Sequence, residues 1–338
     1  MILISFVFML VGQIEGLSYN QPIFCPNAIW NQHATTFSDD PAISYNLRDI
    51  FITTSDTVYI PDRKNRYMII WPNTSSISPR NISLKSSSIT TVFVTEDNLI
   101  YFDYQSNSIS EIRRLSANLS TTISIMRTVE NCYDIFIDIY NYIYCSLAKY
   151  HQVIRKSLNN SFDQVKIVAG SGVNGSTSFM LNRPQGIFVD INLDLYVADR
   201  YNHRIQLFPF GQSDGTTVVG SGSSSSTIDL KNPVAVVLDA NRYIFIVDHW
   251  NHRIIGSDSN GFRCLVRCNG PGSSANKLDY PRAMSFDKYG NIFVVDAANH
   301  RVQKFELKKN SCSKFIIIFT NTRIKSCILV RYINQKQR

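Results

Sequence analysis

Short apolar runs separated by polar links recur along the chain, most clearly from residue 181 onward. Within one unit the runs are GIFVD at 186–190, LYVAD at 195–199, HRIQLF at 203–208 and TTVVG at 216–220. Apolar runs of this length are typical of β-strands, and short links rich in Asn, Asp, Gly or Ser favour tight turns. The pattern therefore predicts a four-stranded antiparallel meander.

The same pattern returns twice more at an almost constant spacing. The positions that repeat at intervals of 49 and 48 residues are Pro184, Pro233 and Pro281; Asp199, Asp248 and Asp296; and His203, His252 and His300. A fixed period of this length is typical of repeat proteins. Because both faces of each predicted sheet are apolar, radial packing of successive sheets, as in a β-propeller, would bury both.

Weaker copies lie upstream, at 50–71, 92–112 and 135–154, and bring the number of blades to six. In these copies the residues that match the repeated aspartate are Asp62, Asp103 and Ser146. The sequence thus predicts an all-β, six-bladed propeller of four-stranded antiparallel blades over 25–312. The predicted blades are 47–85, 86–127, 128–175, 181–222, 230–270 and 278–312 together with 28–38.

The residues Pro-Gln-Gly-Ile-Phe-Val-Asp, Tyr-Val-Ala-Asp and Asn-His-Arg-Ile-Gln, between 184 and 206, resemble the NHL-repeat family of propellers. The resemblance is strong over 181–307 and weaker, though in register, over 47–156. It implies the fold and leaves the function open. Members of the family serve as protein- or RNA-binding platforms, as substrate-recruiting parts of ubiquitin ligases and, in one secreted case, as a peptide-amidating lyase.

The sixth blade lacks a fourth strand after 301–307, and the segment ATTFS at 34–38 matches the pattern of that strand. We expect this N-terminal strand to complete the last blade, because an open ring would leave a sheet edge unpaired. Cys25 and Cys312 would then lie together at one edge, which predicts a disulfide between them.

Seven cysteines without a Cys-x-x-Cys spacing favour disulfides over a zinc module. Cys132 and Cys145 flank the first turn of the third blade and are predicted to pair across a hairpin. Cys264 and Cys268 are only four residues apart. They can pair only if the chain bends between them, since four extended residues span about 13 Å and bridged Cα atoms lie within about 7 Å.

Residues 1–17 contain an apolar run, 2–11, followed by small and polar residues, as in a secretory signal, although no Lys or Arg precedes the run. A buried N-terminal strand is the alternative. The N-glycosylation sequons begin at Asn73, Asn81, Asn118, Asn159 and Asn174. These features predict a secreted glycoprotein, and the lack of a later run of 18 apolar residues argues against stable membrane insertion.

The formal net charge of +8 is concentrated at the C-terminus. The tail 313–338 carries six basic and no acidic residues, which leaves a net charge of only +2 on the rest of the chain. A nucleic-acid-binding face normally clusters Lys and Arg on the folded domain, so nucleic acid is not an expected partner. The tail continues no blade.

The three equivalent histidines, with His249 near His252, could in principle converge on an axial metal. We expect a structural role instead, because the first three blades have Arg66, Asn107 and Tyr150 at that position. No Gly-x-Ser-x-Gly elbow or phosphate loop is present in the sequence. No catalytic residue, metal or cofactor is therefore predicted.

The two residues after each repeated aspartate vary between blades and include types enriched in binding hot spots. The candidate binding face consists of Arg63, Lys64, Arg200, Tyr201, His249 and Trp250; an ordinary exposed turn is the plainer interpretation. Asn202, Asn251 and Asn299 are expected to adopt positive φ. Arg204, Arg253 and Arg301 are expected to bond turn carbonyls or the repeated carboxylate.

The sequence favours a secreted, non-catalytic binding module for a protein or glycan ligand. The first alternative is an extracellular lyase or hydrolase that uses an axial metal site. The second is a substrate-recognition propeller related to the ubiquitin ligases of the family.

Overall fold

The computed structural model describes residues 19–38, 47–74, 79–84, 89–106, 109–115, 121–224, 227–268 and 270–309. These residues form six four-stranded antiparallel sheets arranged in a ring, so the chain is a six-bladed β-propeller. The innermost strand of each blade lies at the axis. We call the four strands of a blade a to d, from the axis outward.

The strands follow the predicted repeat. Blades one to three contain β2 (Phe51–Ile52), β3 (Val58–Asp62), β4 (Tyr67–Trp71) and β5 (Arg80–Ser83); β6 (Val92–Val94), β7 (Ile100–Ser106), β8 (Ile109–Leu115) and β9 (Thr122–Thr128); and β10 (Ile135–Ile137), β11 (Tyr142–Leu147), β12 (Gln152–Ser157) and β13 (Lys166–Ala169).

The second half of the ring has the longer a strands. Blades four to six contain β14 (Pro184–Val189), β15 (Leu195–Asp199), β16 (Arg204–Phe208) and β17 (Thr216–Gly220); β18 (Pro233–Leu238), β19 (Ile244–Asp248), β20 (Arg253–Asp258) and β21 (Gly261–Val266); and β22 (Pro281–Phe286), β23 (Ile292–Asp296) and β24 (Arg301–Phe305) with β1 (Thr35–Ser38). In each of these blades strands b and c are joined by a single 3-10 turn: Arg200–Asn202, His249–Asn251 and Ala297–Asn299.

The d position of the sixth blade is occupied by β1, which pairs antiparallel with β24. Phe37 of β1 packs its ring 5.5 Å from that of Trp71 in blade one and 5.2 Å from that of Phe293 in blade six, between ring centroids. Trp30 is buried and forms an isolated bridge with Leu307. The N-terminal segment thus joins the first and last blades.

Antiparallel order gives the propeller two distinct faces. The b–c face carries the links from strand b to strand c and the links between blades, and the a–b face carries the links from strand a to strand b. Residues 19–24 contact the a–b face. Asn20 donates to the carbonyls of Ile52, Thr53 and Phe286, which belong to the first and last blades.

Tyr19 lies at the axis on the a–b face. Its ring packs edge-on against Phe93, Phe136 and Phe188, at centroid distances of 6.1, 5.4 and 5.6 Å. These phenylalanines occupy equivalent positions in the a strands of blades two, three and four, and Phe51 of blade one continues the row. The aromatic cluster covers the axis at this face.

Cys132 and Cys145 form the predicted disulfide. Cys264 and Cys268 are also paired, with their Cα atoms 5.8 Å apart. The bend that this short spacing requires occurs at Arg267, whose φ is +68°. Cys25 is disulfide-bonded, but Cys312 lies outside the described residues, so the Cys25–Cys312 pairing stays a prediction.

Other sequence features also fall outside the described part of the chain: the signal segment 1–17, the tail 313–338 and the sequon at Asn118. The remaining sequon asparagines are exposed, as glycan attachment requires: Asn73, Asn81, Asn159 and Asn174. In the part of the chain that the structure describes, no helix has the length and apolar character needed to cross a membrane.

Candidate functional site

The recurring Asp–Asn–His–Arg motif fastens each b–c link to the link that enters the same blade. In blade five the buried Asp248 carboxylate accepts hydrogen bonds from the backbone N–H of Lys231 at 2.7 Å, from Asn251 Nδ2 at 2.8 Å and from Arg253 Nε at 2.8 Å. Equivalent bonds form around Asp199 and Asp296. The structural role expected for the repeated arginines is confirmed.

The repeated histidines connect neighbouring blades. His203 Nδ1 accepts from the backbone N–H of Asn232 at 3.1 Å, and His252 Nδ1 accepts from that of Tyr280 at 3.0 Å. In the b–c links of blades four to six, positive φ occurs at these two histidines and at His300, at 54–55°. The expectation that Asn202, Asn251 and Asn299 adopt positive φ was wrong, because each lies in the 3-10 turn and uses its side chain to donate to the aspartate.

The third blade shows a one-residue shift from the sequence alignment. Leu147 pairs with Gln152 as Asp199 pairs with Arg204, so Leu147 and not Ser146 is the equivalent of the repeated aspartate. The histidine of this blade is therefore His151, at φ 53°, and not the position of Tyr150. Its Nδ1 accepts from Arg183 N at 3.2 Å, as in the later blades.

The predicted binding-face residues all lie on the b–c face, but their exposure differs. Tyr201 and Trp250 are 43% and 46% exposed, Lys64 is exposed, and Arg63 and Arg200 are half-buried. His249 does not belong to the exposed surface.

The His249 side chain is 3% exposed, and its Nδ1 contacts the Pro281 carbonyl at 2.8 Å. Burial, followed by nearby Arg282 and Arg200, lowers the pKa of His249 to about 4, so the ring is neutral at physiological pH.

At the centre of the b–c face, one residue from each blade surrounds the axis at or just before strand a. We call this ring the axial mouth; it consists of Arg48, Thr90, Tyr133, Gln185, Val234 and Arg282. Arg63 and Arg200 of the b–c links are within electrostatic range of Arg282. The Arg48 guanidinium lies over the Tyr133 ring, 5.9 Å from its centroid. Two guanidiniums thus line the opening, and two more, those of Arg63 and Arg200, act electrostatically on Arg282.

A second layer lies immediately below the axial mouth and encloses a cavity of about 40 Å³. On blades four to six this layer consists of Gly186, Ala235 and Ala283. A Cβ at Gly186 would lie 2.5 Å from the Ala235 Cα, so the absence of a side chain permits this close approach of two a strands.

On blades one to three the second layer is polar and includes the carboxyl groups of two half-buried residues. Asp49 accepts from Val92 N at 2.9 Å, and Asp134 accepts from Ile187 N at 2.8 Å, so each binds the a strand of the next blade. The Thr91 hydroxyl lies 2.9 Å from Asp49 and 3.3 Å from Asp134, and its single proton can serve only one of them. Burial raises the pKa of both carboxyls, and the charge of Asp49 raises that of Asp134 further.

A larger cleft, of about 480 Å³, lies between blades three and four, away from the axis. Its lining includes Tyr144, Phe179, Phe208 and Phe210, and the Arg155 guanidinium lies over the Phe210 ring at 5.3 Å. None of the residues that the sequence singled out contributes to it. By contrast, the predicted residues Arg63 and Arg200 act electrostatically on Arg282 of the axial mouth. The charged residues that line the mouth were missed by sequence reasoning.

Sequence reasoning missed Arg48, Tyr133, Gln185 and Arg282. A signal was available in the later blades, where the residue after the repeated proline changes from Gln185 to Val234 to Arg282 while its neighbours recur. In the first blades the proline is absent, and the start of strand a cannot be aligned from the sequence with the same accuracy.

The sequence profile of the NHL repeat matches residues 181–208. Together with the six-bladed ring, this match supports an NHL-repeat propeller. Residues 181–208 are an NHL repeat. No curated protein is significantly similar to it in sequence.

Solved structures share the propeller fold at low sequence identity. A streptogramin B lyase structure is 12% identical, with a TM-score of 0.56 over 82% of this chain and 98% of that chain. Virginiamycin B lyase from Staphylococcus aureus is 10% identical, with a TM-score of 0.56 over 81% and 98%. A structure described as a putative gluconolactonase is 10% identical, with a TM-score of 0.60 over 86% and 97%. At these identities the similarity of this NHL propeller to enzymes concerns the fold alone.

Proposed function

We propose that this NHL propeller is a secreted, non-catalytic binding module that presents its b–c face to a protein or glycan ligand. The observation that carries the proposal is the combination of two half-exposed aromatic side chains, Tyr201 and Trp250, with the arginine-lined axial mouth. Binding hot spots are enriched in Trp, Tyr and Arg, and these side chains occupy variable positions held by a rigid framework.

The backbone beneath these residues is fixed by hydrogen bonds. Tyr201 N donates to the Asn182 carbonyl and Trp250 N donates to the Lys231 carbonyl, while the adjacent aspartates hold both links. A ligand that docks here meets pre-organised aromatic rings, which reduces the entropy lost on binding. Two disulfides and the predicted signal segment support an extracellular location for this module.

The geometry of the repeated histidines offers no support for the alternative of an axial metal enzyme. His203 and His252 direct Nδ1 to backbone N–H groups of the next blade. Within the described residues, no cluster of three or more His, Cys, Asp or Glu side chains is arranged to hold a metal ion. The axial mouth itself is lined by guanidiniums, which are not metal ligands.

The proposal is tested by comparing two double variants with the unaltered protein. In the first, Tyr201→Ala/Trp250→Ala, the aromatic groups of the b–c face are removed. In the matched control, Tyr140→Ala/Tyr289→Ala, two aromatics that are 58% and 60% exposed are removed from the a–b face. The immobilised proteins are probed with a glycan array and with fractionated extracellular fluid, and bound species are identified by mass spectrometry.

We expect a ligand that is retained by the unaltered protein and the control and lost, by about tenfold or more in affinity, from the b–c variant. Circular dichroism and thermal melting verify that both variants are folded. Equal retention by the two variants, or loss only in the a–b control, would show that the b–c face is not the docking surface.

A further inference from the structure

We propose that the axial mouth binds an oxyanion group of the ligand, namely a carboxylate, sulfate or phosphate. Arg48, Arg63, Arg200 and Arg282 supply the positive charge. This inference rests on the proposed function, because the oxyanion belongs to a ligand that covers the b–c face. It adds the chemical class of the group that the centre of that face recognises.

The four arginines repel one another in the free protein. Burial, together with the charges of Arg48, Arg200 and Arg63, lowers the pKa of Arg282 to about 10. Burial and then Arg63 lower the pKa of Arg48. Charges held this close at a partly desolvated opening raise the free energy of the empty site, and a bound anion removes that repulsion.

The carboxylates nearby do not neutralise all of this charge. Asp49 and Asp134 direct their oxygens to Val92 N, Ile187 N and Thr91, not to the guanidiniums. Burial raises the pKa of both carboxyls. Among the described residues, Arg200 and Arg282 form no ion pair, and the charges that act most strongly on them belong to tyrosines and other arginines.

Arg200 contributes a donor that the protein does not satisfy. Its Nε is buried and has no hydrogen-bond partner in the described part of the chain. A buried polar atom without a partner destabilises the free protein. Neighbouring donors at the opening are Tyr133 and Gln185, both of which line the mouth. Planar guanidinium groups bind carboxylate and phosphate oxygens through paired hydrogen bonds.

The dimensions of the site limit what can enter it. The cavity below the mouth has a volume of about 40 Å³, little more than one water molecule occupies in the liquid. Tyr19 and the phenylalanines around it cover the axis at the opposite face. The site therefore accepts the terminal charged group of a ligand, and the rest of the ligand remains on the b–c face.

The experiment is isothermal titration of the purified protein with sodium sulfate, sodium phosphate and sodium glucuronate, with glucose as the uncharged counterpart of glucuronate. Ionic strength is kept constant with chloride. The variants are Arg200→Gln and Arg282→Gln, each of which removes one guanidinium. Lys166→Gln is the matched control, since it removes one exposed positive charge from strand d of blade three, outside the axial mouth.

We expect one-to-one binding of at least one oxyanion, no binding of glucose, and a loss of affinity of about tenfold in each arginine variant but not in Lys166→Gln. The anion that binds most tightly identifies the group as carboxylate, sulfate or phosphate. The arginine variants should melt at the same temperature as the unaltered protein or higher, because they relieve repulsion.

The inference is overturned if no oxyanion binds in the millimolar range, or if Lys166→Gln weakens binding as much as the arginine variants do. Its failure can be separated from failure of the proposed function. A ligand captured through Tyr201 and Trp250, with no oxyanion bound, would leave the docking surface in place and remove only the anion site.

Discussion

In blades four to six, the buried aspartate of the repeat motif accepts hydrogen bonds from several groups of its link. Asp248 has no exposed surface and accepts from one backbone N–H, one amide and one guanidinium. Asp248→Ala would leave all three donors without their acceptor. Because loss of one partner of a buried ion pair costs about 3–5 kcal/mol, we expect a clearly lower free energy of unfolding in urea.

Asp214→Ala is the control for that measurement, since Asp214 is exposed and contacts only the Ser178 hydroxyl in the described structure. Its free energy of unfolding should change by less than about 0.5 kcal/mol. Unchanged unfolding of Asp248→Ala would contradict the structural role of the motif.

A second buried aspartate makes stability depend on pH. Burial raises the pKa of Asp103 to about 7, against the lowering effect of bonds from Thr90 N and Thr91 N. The folded state therefore holds a proton on Asp103 that the unfolded state has lost above pH 4. The stability that this proton provides is complete below the unfolded pKa and is lost as the pH rises through about 7.

Asp103→Asn removes this titration. Between pH 5 and pH 8 the unaltered protein should lose roughly 2–3 kcal/mol of unfolding free energy relative to the variant, since each pKa unit corresponds to about 1.4 kcal/mol. Chemical unfolding of both proteins at the two pH values measures this difference. A difference that is the same at both values would mean that Asp103 is ionised in the folded state throughout the range.

At the residue scale, roles that depend on residue type were more predictable than roles that depend on position. The arginine-to-carboxylate bond of Arg253 could be anticipated because a repeated Asp and Arg flank the same turn. The positive φ of His252 could not, because Asn is the residue type that more often adopts that conformation. Arg48 and Arg282 required knowledge of which residues face the axis, and the sequence alone does not provide it.

At the scale of strands, the sequence located all six blades because alternation and spacing survive where the motif has decayed. The residue-by-residue pairing of the strands was harder to predict from the sequence in the blades where the motif is weaker. In the third blade the sequence alignment is shifted by one residue at the b–c link, because the repeated aspartate is absent there. Glu130 instead accepts hydrogen bonds from Lys149 N and Tyr150 N. Tertiary contacts therefore replaced the local motif on which the alignment relied.

The two described disulfides close loops of different length within single blades. Cys132 and Cys145 are 13 residues apart, and Cys264 and Cys268 are 4 apart. In the chain-entropy account, the longer loop gives a stabilisation of about 3 kcal/mol and the shorter one about 2 kcal/mol. We expect the Cys132→Ala/Cys145→Ala variant to unfold at lower urea concentration than the Cys264→Ala/Cys268→Ala variant. The opposite order would indicate that strain or packing at these sites outweighs loop closure.

At the scale of the whole molecule, the ring is joined by the N-terminal segment. β1 supplies a strand to the sixth blade, Trp30 Nε1 donates to the Gly290 carbonyl at 2.9 Å, and Tyr19 covers the axis. The segment thus contributes both to closure of the ring and to the aromatic cluster that covers the axis at the a–b face. The expected Cys25–Cys312 disulfide would add a covalent connection at the same seam, and peptide mapping without reduction can test it.

Phe37 is the side chain on which the described seam depends most directly, because it contacts Trp71 of the first blade and Phe293 of the last. Phe37→Ala would remove the aromatic contact on both sides of the seam while leaving the backbone pairing of β1 with β24 possible. Truncation of a buried Phe costs about 3–5 kcal/mol, and Phe37 is only partly buried, so we expect a loss of about 2–3 kcal/mol of unfolding free energy.

Phe162→Ala, at a side chain that is 88% exposed, is the matched control and should change stability little. Because the blades share one closed ring, the Phe37 variant should still unfold in a single transition at lower urea concentration. Separate unfolding of the sixth blade, or stability equal to that of the control, would show that closure does not depend on this contact.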